Sequence, residues 1–201
     1  LACLAQDVQI PLEKRPPGLI LQTGIGMQLR GESQLFTTLS IETPLDDFWQ
    51  VGIQGGHVFA KQMEYGISSG GDSYDKFLGG FEVGIFGKYF LHRQYSRRKS
   101  VLYCGGEIRL GTIRSEGQFY GGFFPAFYTH KISQRTQKYL FRWGAQWRFG
   151  RYAVLELALP FGWQQSEFTY RNTVNGVESP NPSTRHGKFI MLPSLQLGFA
   201  F

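Results

Sequence analysis

The sequence predicts an all-β chain that closes into an antiparallel, up-and-down transmembrane β-barrel of about eight strands. Apolar residues alternate with polar or small residues in eight separate segments, which is the period of a strand with two different faces. Longer and shorter connections alternate along the chain. Large aromatic residues also gather near the ends of the apolar faces, as they do in membrane barrels.

The predicted strands each reach the roughly 9–11 residues that a tilted strand needs to cross a bilayer. They are segments 19–30, 34–43, 48–60, 76–91, 101–114, 138–149, 152–166 and 188–201. No long helical pattern competes with them, and no crossover helix separates them. Consecutive strands of this kind form an antiparallel meander.

The apolar face of each strand is given by every second residue. In the first four strands these faces run over Leu19–Leu29, Leu35–Ile41, Trp49–Ile53 and Phe77–Leu91. In the last four they run over Leu102–Leu110, Tyr139–Phe149, Leu155–Trp163 and Phe189–Phe201. Segment 138–149 is the clearest, because its odd positions hold only aromatic residues and one alanine.

The connections indicate which end of the barrel faces which side. There are three long connections, 61–75, 115–137 and 167–187, and three shorter ones, 43–47, 92–100 and 150–151. One exception is the connection 31–33, which is short although it falls on the side of the long connections. Outer-membrane barrels have short periplasmic turns and longer extracellular loops. With eight strands, both termini and the shorter turns therefore lie on the periplasmic side.

The polar face predicts the interior of a membrane barrel. It is rich in Gly and Gln and carries charges of both signs, which suits a narrow lumen filled by side chains. Buried charges need partners, so we predict a lumen charge network of Arg30, Glu42, Glu82, Lys88, Glu107, Arg109, Arg142, Arg148 and Glu156. The alternative is a soluble, lipocalin-like ligand-binding barrel, with the apolar face inside.

Composition limits the other classes of protein. Charged residues make up 18% of the chain and the net charge is +6, but the basic residues are scattered, so we expect no nucleic-acid partner. Residues 1–5 resemble the end of a signal peptide, and residues 6–18 are predicted to be an irregular periplasmic lead-in. Lipidation of Cys3 is the alternative reading of the N-terminal residues.

The last strand carries a resemblance to a known group. Residues Leu195-Gln196-Leu197-Gly198-Phe199-Ala200-Phe201 alternate and close on Phe, which resembles the C-terminal signature of bacterial outer-membrane barrels. The chain therefore looks like a member of the small OmpA/OmpX-like outer-membrane barrels of Gram-negative bacteria. That resemblance implies recognition of the last strand by the barrel-assembly machinery, and contact with outer-membrane lipid and lipopolysaccharide.

Catalytic residues are not evident in the sequence. Some small barrels modify lipid A, and the set His130, Ser133 and Glu116 is the best available for nucleophilic catalysis. However, His130 and Ser133 are three apart, whereas a His and Ser two apart on a strand is the pattern of the deacylase-like enzymes. The histidines also lack neighbours at metal-ligand spacing. We expect no catalysis, metal or cofactor; a lipid A-modifying enzyme is the alternative.

Two segments indicate contacts with other molecules. The predicted loop 115–137 contains an aromatic run that is a candidate interaction patch, made of Phe119, Tyr120, Phe123, Phe124, Phe127 and Tyr128. The same residues also fit strands five and six that extend above the membrane, or a segment that folds over the barrel mouth. Arg93, Arg97, Arg98 and Lys99 form a basic periplasmic turn. The predicted function is structural or interactive, with an envelope protein as a possible partner.

Overall fold

The computed structural model describes residues 18–29, 34–61, 72–92, 100–120, 127–149, 152–174, 177–180 and 183–201. Almost all of them lie in strands. The strands are β1 (Ile20–Gln28), β2 (Gln34–Pro44), β3 (Trp49–Lys61), β4 (Asp72–Phe90), β5 (Ser100–Tyr120), β6 (Phe127–Phe149), β7 (Ala153–Val174), β8 (Val177–Pro180), β9 (Thr184–Met191) and β10 (Ser194–Ala200). In this part of the chain, no helix is long and apolar enough to cross a membrane.

The strands form one closed antiparallel ring. Strands β1 to β7 pair in sequence order, β10 pairs with β7, and β1 pairs with β10 to close the barrel. β8 and β9 also pair with β7, so β8, β9 and β10 together make the eighth strand. The predicted eight-stranded, up-and-down topology is confirmed.

The eighth strand is interrupted at Leu192 and Pro193, between β9 and β10. Proline has no backbone N–H to donate to the ladder, so it is disfavoured inside a paired strand. The Pro193 carbonyl still accepts a hydrogen bond from Met27 N at 3.0 Å, and the Met191 carbonyl accepts one from Leu29 N at 2.8 Å. The seam with β1 therefore continues past the interruption.

The outward side chains are apolar, which decides between the two barrel types. On β2 and β10, burial alternates strictly from residue to residue. The exposed residues of these strands include Leu39 and Leu197, whereas Glu42 and Gln196 are buried. A soluble barrel has the opposite arrangement. The apolar surface therefore faces lipid, and the soluble ligand-binding alternative is wrong.

The predicted ends of the strands are wrong on the long-connection side. Residues 72–75, 115–120, 127–137 and 167–174 belong to strands rather than loops, and β5 pairs with β6 as far as Tyr120 and Phe127. The apolar alternation stops where lipid contact stops. The ladder continues, because it needs only backbone N–H and C=O groups from a neighbouring strand.

Phe77 lies inside the barrel, although the sequence pattern places it on the lipid-facing side. The register of β4 with β5 shifts between Phe77 and Gly79, and Gly79 has a φ of +109° that favours glycine. A bulge inserts one extra residue and reverses the alternation beyond it. Leu78 is consequently exposed, and Phe77 packs against an interior apolar cluster.

The described turn between β2 and β3 is held by one side chain. Asp46 Oδ1 accepts hydrogen bonds from Phe48 N and Trp49 N, both at 2.7 Å. Several predictions lie outside the described residues: the signal-peptide remnant 1–5, the lead-in 6–18 apart from Gly18, the basic turn 93–99, and the short connections 31–33 and 150–151.

Candidate functional site

The centre of the lumen is filled by eight ionisable side chains in one connected network. None of them is more than 4% exposed. Four are acids and four are bases, so their formal charges cancel. They are Glu42, Glu82, Lys88, Glu107, Arg109, Lys138, Arg142 and Glu156.

Lys88 joins three strands at one end of the network. Its Nζ lies 2.7 Å from Glu42 Oε2 and 2.5 Å from Glu156 Oε2. Glu42 comes from β2 and Glu156 from β7, so this ammonium bridges strands that are not sheet neighbours. Ser40 and Gln50 also donate hydrogen bonds to the Glu42 carboxylate.

Arg142 occupies the middle of the network. Its two terminal nitrogens lie 3.1 Å from Glu107 Oε2 and 2.7 Å from Glu156 Oε1. Its Nε donates to the Tyr103 hydroxyl at 3.3 Å, and that hydroxyl donates to Glu156 at 2.6 Å. A planar guanidinium with five donors suits several partners at once.

The other end of the network joins Arg109, Glu82 and Lys138. Arg109 pairs with Glu107 and approaches Glu82 at 3.9 Å. Lys138 forms an ion pair with Glu82. The eight charges are thus linked from β2 to β7 across the lumen. A buried charge without a partner costs several kcal/mol, so this arrangement favours one relative position of the strands.

Apolar side chains close the lumen on both sides of the charges. Toward the short turns lie two clusters, Phe90 with Val101 and Tyr103, and Ile20 with Val154 and Ala200. Toward the long connections lies a third cluster: Phe36, Val58, Leu140, Ile190 and Leu192, with Phe77 packed against it. Glutamines such as Gln22 and Gln164 are buried among these clusters, so the described part of the lumen is filled by side chains.

Seven of the nine residues predicted for the lumen network lie in it. Arg148 is only half-buried, and Arg30 lies outside the described residues. The sequence prediction omitted Lys138 and Tyr103, although the signal was present. Lys138 has the same parity as Arg142 on β6, and Tyr103 has the same parity as Glu107 on β5.

Beyond the lumen, one half of the barrel continues as a wall. We define the wall as residues 112–120 of β5, 127–137 of β6, 165–174 of β7, and 184–188 of β9. β6 alone runs for 23 residues, more than twice the roughly 9–11 needed to cross a bilayer. By contrast, β1 has nine residues and β2 has eleven.

The two faces of the wall differ in chemistry. The inner face carries amides, hydroxyls and rings: Gln134 Nε2 donates to Ser166 Oγ at 3.1 Å. Higher on this face, the ring of Phe168 packs edge-on to His186 with centroids 5.7 Å apart. The outer face carries exposed cations and two acids, and Arg185 pairs with Glu167 at 3.4 Å.

The candidate catalytic set does not assemble. His130 and Ser133 are three apart on β6, so their side chains point to opposite faces of the wall. Glu116 is paired with Lys131 at 3.9 Å. Within the described residues, no group of three His, Cys, Asp or Glu side chains is arranged to hold a metal ion.

The structure describes part of the candidate aromatic patch, and for that part it describes the backbone alone. Phe119 and Tyr120 end β5, and they pair with Tyr128 and Phe127 at the start of β6. Phe123 and Phe124 lie outside the described residues, as do the other side chains of the patch. The backbone thus follows the second reading of this segment, in which strands five and six extend beyond the membrane.

A shallow apolar groove lies on the outside of the barrel. It has a volume of about 940 Å³ and is lined by residues including Ile53, Ile85 and Ile108. Gly87 and Gly106 pair at its base, and a Cβ added to either would meet no atom within 4 Å. The rim of the groove is apolar and belongs to the lipid-facing side of the barrel.

Comparisons with known proteins agree with this geometry. No protein-family model matches the chain, and no curated protein matches it in sequence. Among solved structures, a major outer membrane protein from Thermus thermophilus matches with a TM-score of 0.54 and 9% identity, over 91% of this chain and 99% of that one. The chain has the fold of a bacterial outer-membrane β-barrel.

Two further solved structures match over nearly their whole length. The outer membrane protease OmpT of Escherichia coli has a TM-score of 0.53 and 9% identity, over 92% of this chain and 94% of that one. Neisserial surface protein A has a TM-score of 0.48 and 11% identity, over 94% of this chain and 100% of that one. At such identities the fold alone is shown, and the protease activity is a property of OmpT.

The fold and the lipid-facing exterior together place the protein in the bacterial outer membrane. The resemblance to small outer-membrane barrels that the last strand predicts is confirmed at the level of fold. In such barrels the longer connections are extracellular, so the wall rises on the extracellular side.

Proposed function

We propose that this protein is a non-catalytic surface-interaction barrel, which passes no solute and acts through the extracellular wall. One observation carries the proposal: buried side chains fill the described lumen, while strands β5 to β7 continue far beyond the bilayer. A barrel that conducts would keep its lumen open. Strands that rise above the membrane place side chains where they meet other molecules, which is where function in barrels is found.

The absence of catalysis is part of the proposal. A nucleophile and its base must lie within hydrogen-bond reach, about 2.6–3.2 Å. His130 and Ser133 point to opposite faces of β6, and Glu116 already pairs with Lys131. This geometry gives no support to the lipid A-modifying alternative. A test is the lipid A mass spectrum of cells that overproduce the protein, which should match that of cells without it.

Conductance in a planar bilayer tests the closed lumen. Because the charge network lies between apolar layers, we expect the purified protein to give no steady conductance above that of the bare bilayer. A second measurement on Phe36→Gly/Leu140→Gly should also show a closed pore, since the eight charges below that layer remain. Steady channels in the wild type would refute the closed-lumen part of the proposal.

Cross-linking in intact cells tests the interaction role. In the matched variant, residues 115–132 are replaced by Asn-Gly, which forms a tight hairpin turn between Arg114 and Ser133, residues that already pair directly. We expect the wild type to give a discrete larger species that this variant lacks. The variant must fractionate with the outer membrane and unfold cooperatively. Identical cross-linking patterns for the two proteins would contradict a role for the wall.

A further inference from the structure

Five exposed cations occupy the outer face of the wall. Strand register places them in three successive rows. The lowest row is Thr112–Arg135–Glu167–Arg185, the next is Arg114–Ser133–Thr169, and the third is Glu116–Lys131–Arg171. Rows on one face are about 7 Å apart and strands about 4.8 Å apart, so the five cations share one patch about 15 Å across. We call this patch the cationic face.

The cationic face begins just above the lipid boundary. Tyr139, Trp163 and Phe189 form a row of paired, outward-facing aromatic residues on β6, β7 and β9. Aromatic rings of this kind mark the membrane–water interface. A single row, Gln137–Gln165–Gly187, separates them from Arg135 and Arg185. With rows about 7 Å apart, Arg135 and Arg185 lie about 14 Å along the strands beyond the aromatic row, at the level of the lipid headgroups, and the other cations lie one and two rows higher.

Charge is segregated between the two faces of the wall. On the inner face of the same rows, the described side chains include no acid, lysine or arginine. On the outer face, Lys131 and Arg185 pair with Glu116 and Glu167. Among the described residues, Arg114, Arg135 and Arg171 have no acidic partner, although Glu178 lies one row higher on β8. Ordinary solvation of strands outside the membrane would place charges on both faces.

Within the described part of the chain, the patch lies on one side of the barrel. The extracellular ends of β1, β2 and β3 present Leu29, Leu35 and Phe59 outward, each 40–48% exposed. The lipid boundary there has no comparable row of cations among the described residues. The described cations are clustered on β5, β6, β7 and β9, an arrangement that suits a localised ligand.

We propose that the cationic face is a docking surface for the phosphate groups of lipopolysaccharide in the outer leaflet. Guanidinium groups bind phosphate oxygens through two parallel hydrogen bonds. Arg114 and Arg135 come from neighbouring strands in adjacent rows, so both reach one phosphate group. Arg171 lies higher and reaches a phosphate further from the acyl chains. This inference deepens the proposed surface-interaction role by naming a partner for the outer face.

Binding of purified lipopolysaccharide to the protein in nanodiscs tests the inference. The variant R114Q/R135Q/R171Q removes the three cations without acidic partners and keeps their length. We expect at least tenfold weaker binding, and a similar loss for the wild type when the glycolipid has been dephosphorylated. Binding should also weaken as salt is raised, because exposed charges are screened.

Two control variants keep the test specific. K188Q removes an inward-facing cation of β9, in the row of Gln164 and Lys138, and its affinity should stay within twofold of the wild type. R114K/R135K/R171K keeps the charge but loses the paired donors, so its affinity should fall between those of the wild type and the glutamine variant. Circular dichroism and urea unfolding confirm that each variant is folded.

Three outcomes of the lipid-binding measurements would overturn the inference. They are unchanged affinity of the glutamine variant, equal affinity for dephosphorylated glycolipid, and equal affinity for phosphatidylglycerol vesicles. The last would show a general preference for anionic lipid. Excess inorganic phosphate should compete only weakly, and full competition would refute a lipid-level site. If lipopolysaccharide binding fails while wall-dependent cross-linking persists, the proposed function stands and only this inference falls.

Discussion

Replacing Arg142 with methionine should strongly destabilise the barrel. The side chain is fully buried and makes ion pairs of 3.1 Å to Glu107 and 2.7 Å to Glu156. Methionine keeps much of the volume, so the main loss is electrostatic. The lumen would then hold four acids and three bases.

The size of the effect follows from which partners remain. Removing one member of a buried ion pair typically costs 3–5 kcal/mol. After the substitution, Glu107 still pairs with Arg109, and Glu156 still pairs with Lys88, so the lower end, about 3 kcal/mol, applies. With an m-value of about 2 kcal/mol per M of urea, the unfolding midpoint should fall by about 1.5 M.

The assay is reversible urea unfolding in lipid vesicles, followed by tryptophan fluorescence. The control is Arg135→Met, which removes an exposed arginine from the same strand and should change the free energy of unfolding by less than about 0.5 kcal/mol. Adding Glu156→Gln to Arg142→Met restores charge balance. The double variant should therefore be more stable than the sum of the single effects, by about 1 kcal/mol. A midpoint for Arg142→Met within error of the wild type would refute the reasoning.

Other substitutions test the bulge and the membrane boundary. Gly79→Ala should lower the free energy of unfolding by about 1–3 kcal/mol, because the φ of +109° at this position strains a residue with a Cβ. The control Gly87→Ala should be neutral, since a Cβ there meets nothing within 4 Å. Equal urea midpoints for the two variants would contradict the role of the bulge. Val83→Arg, on the lipid-facing side of β4, should cost about 2–4 kcal/mol. Thr169→Arg, on the outer face of the wall, should leave the free energy of unfolding unchanged. Similar unfolding free energies of the two variants in vesicles would mean that the bilayer boundary is misplaced.

The sequence determined the local properties of the strands. Alternation along each segment is set by backbone geometry and needs no information from distant residues. For this reason, the number of strands, the lipid-facing side and most lumen charges could be predicted from single segments such as 138–149. The alternation also predicted that the acids and bases share the inward face. Because buried charges need partners, they had to pair with each other in the lumen.

Tertiary structure decided everything that depends on how one strand meets another. The extra residue, Leu78, turned Phe77 inward, and the alternation within β4 does not show that shift. Lys88 meets Glu42 and Glu156, 46 and 68 residues away along the chain, because the ring brings β2, β4 and β7 around one lumen. The sequence also did not predict how far β5 to β7 extend beyond the membrane. A strand segment without an apolar face is stabilised by hydrogen bonds to its neighbouring strands, which its own sequence does not show. The rows of cations on its outer face follow from register, which a single strand does not contain.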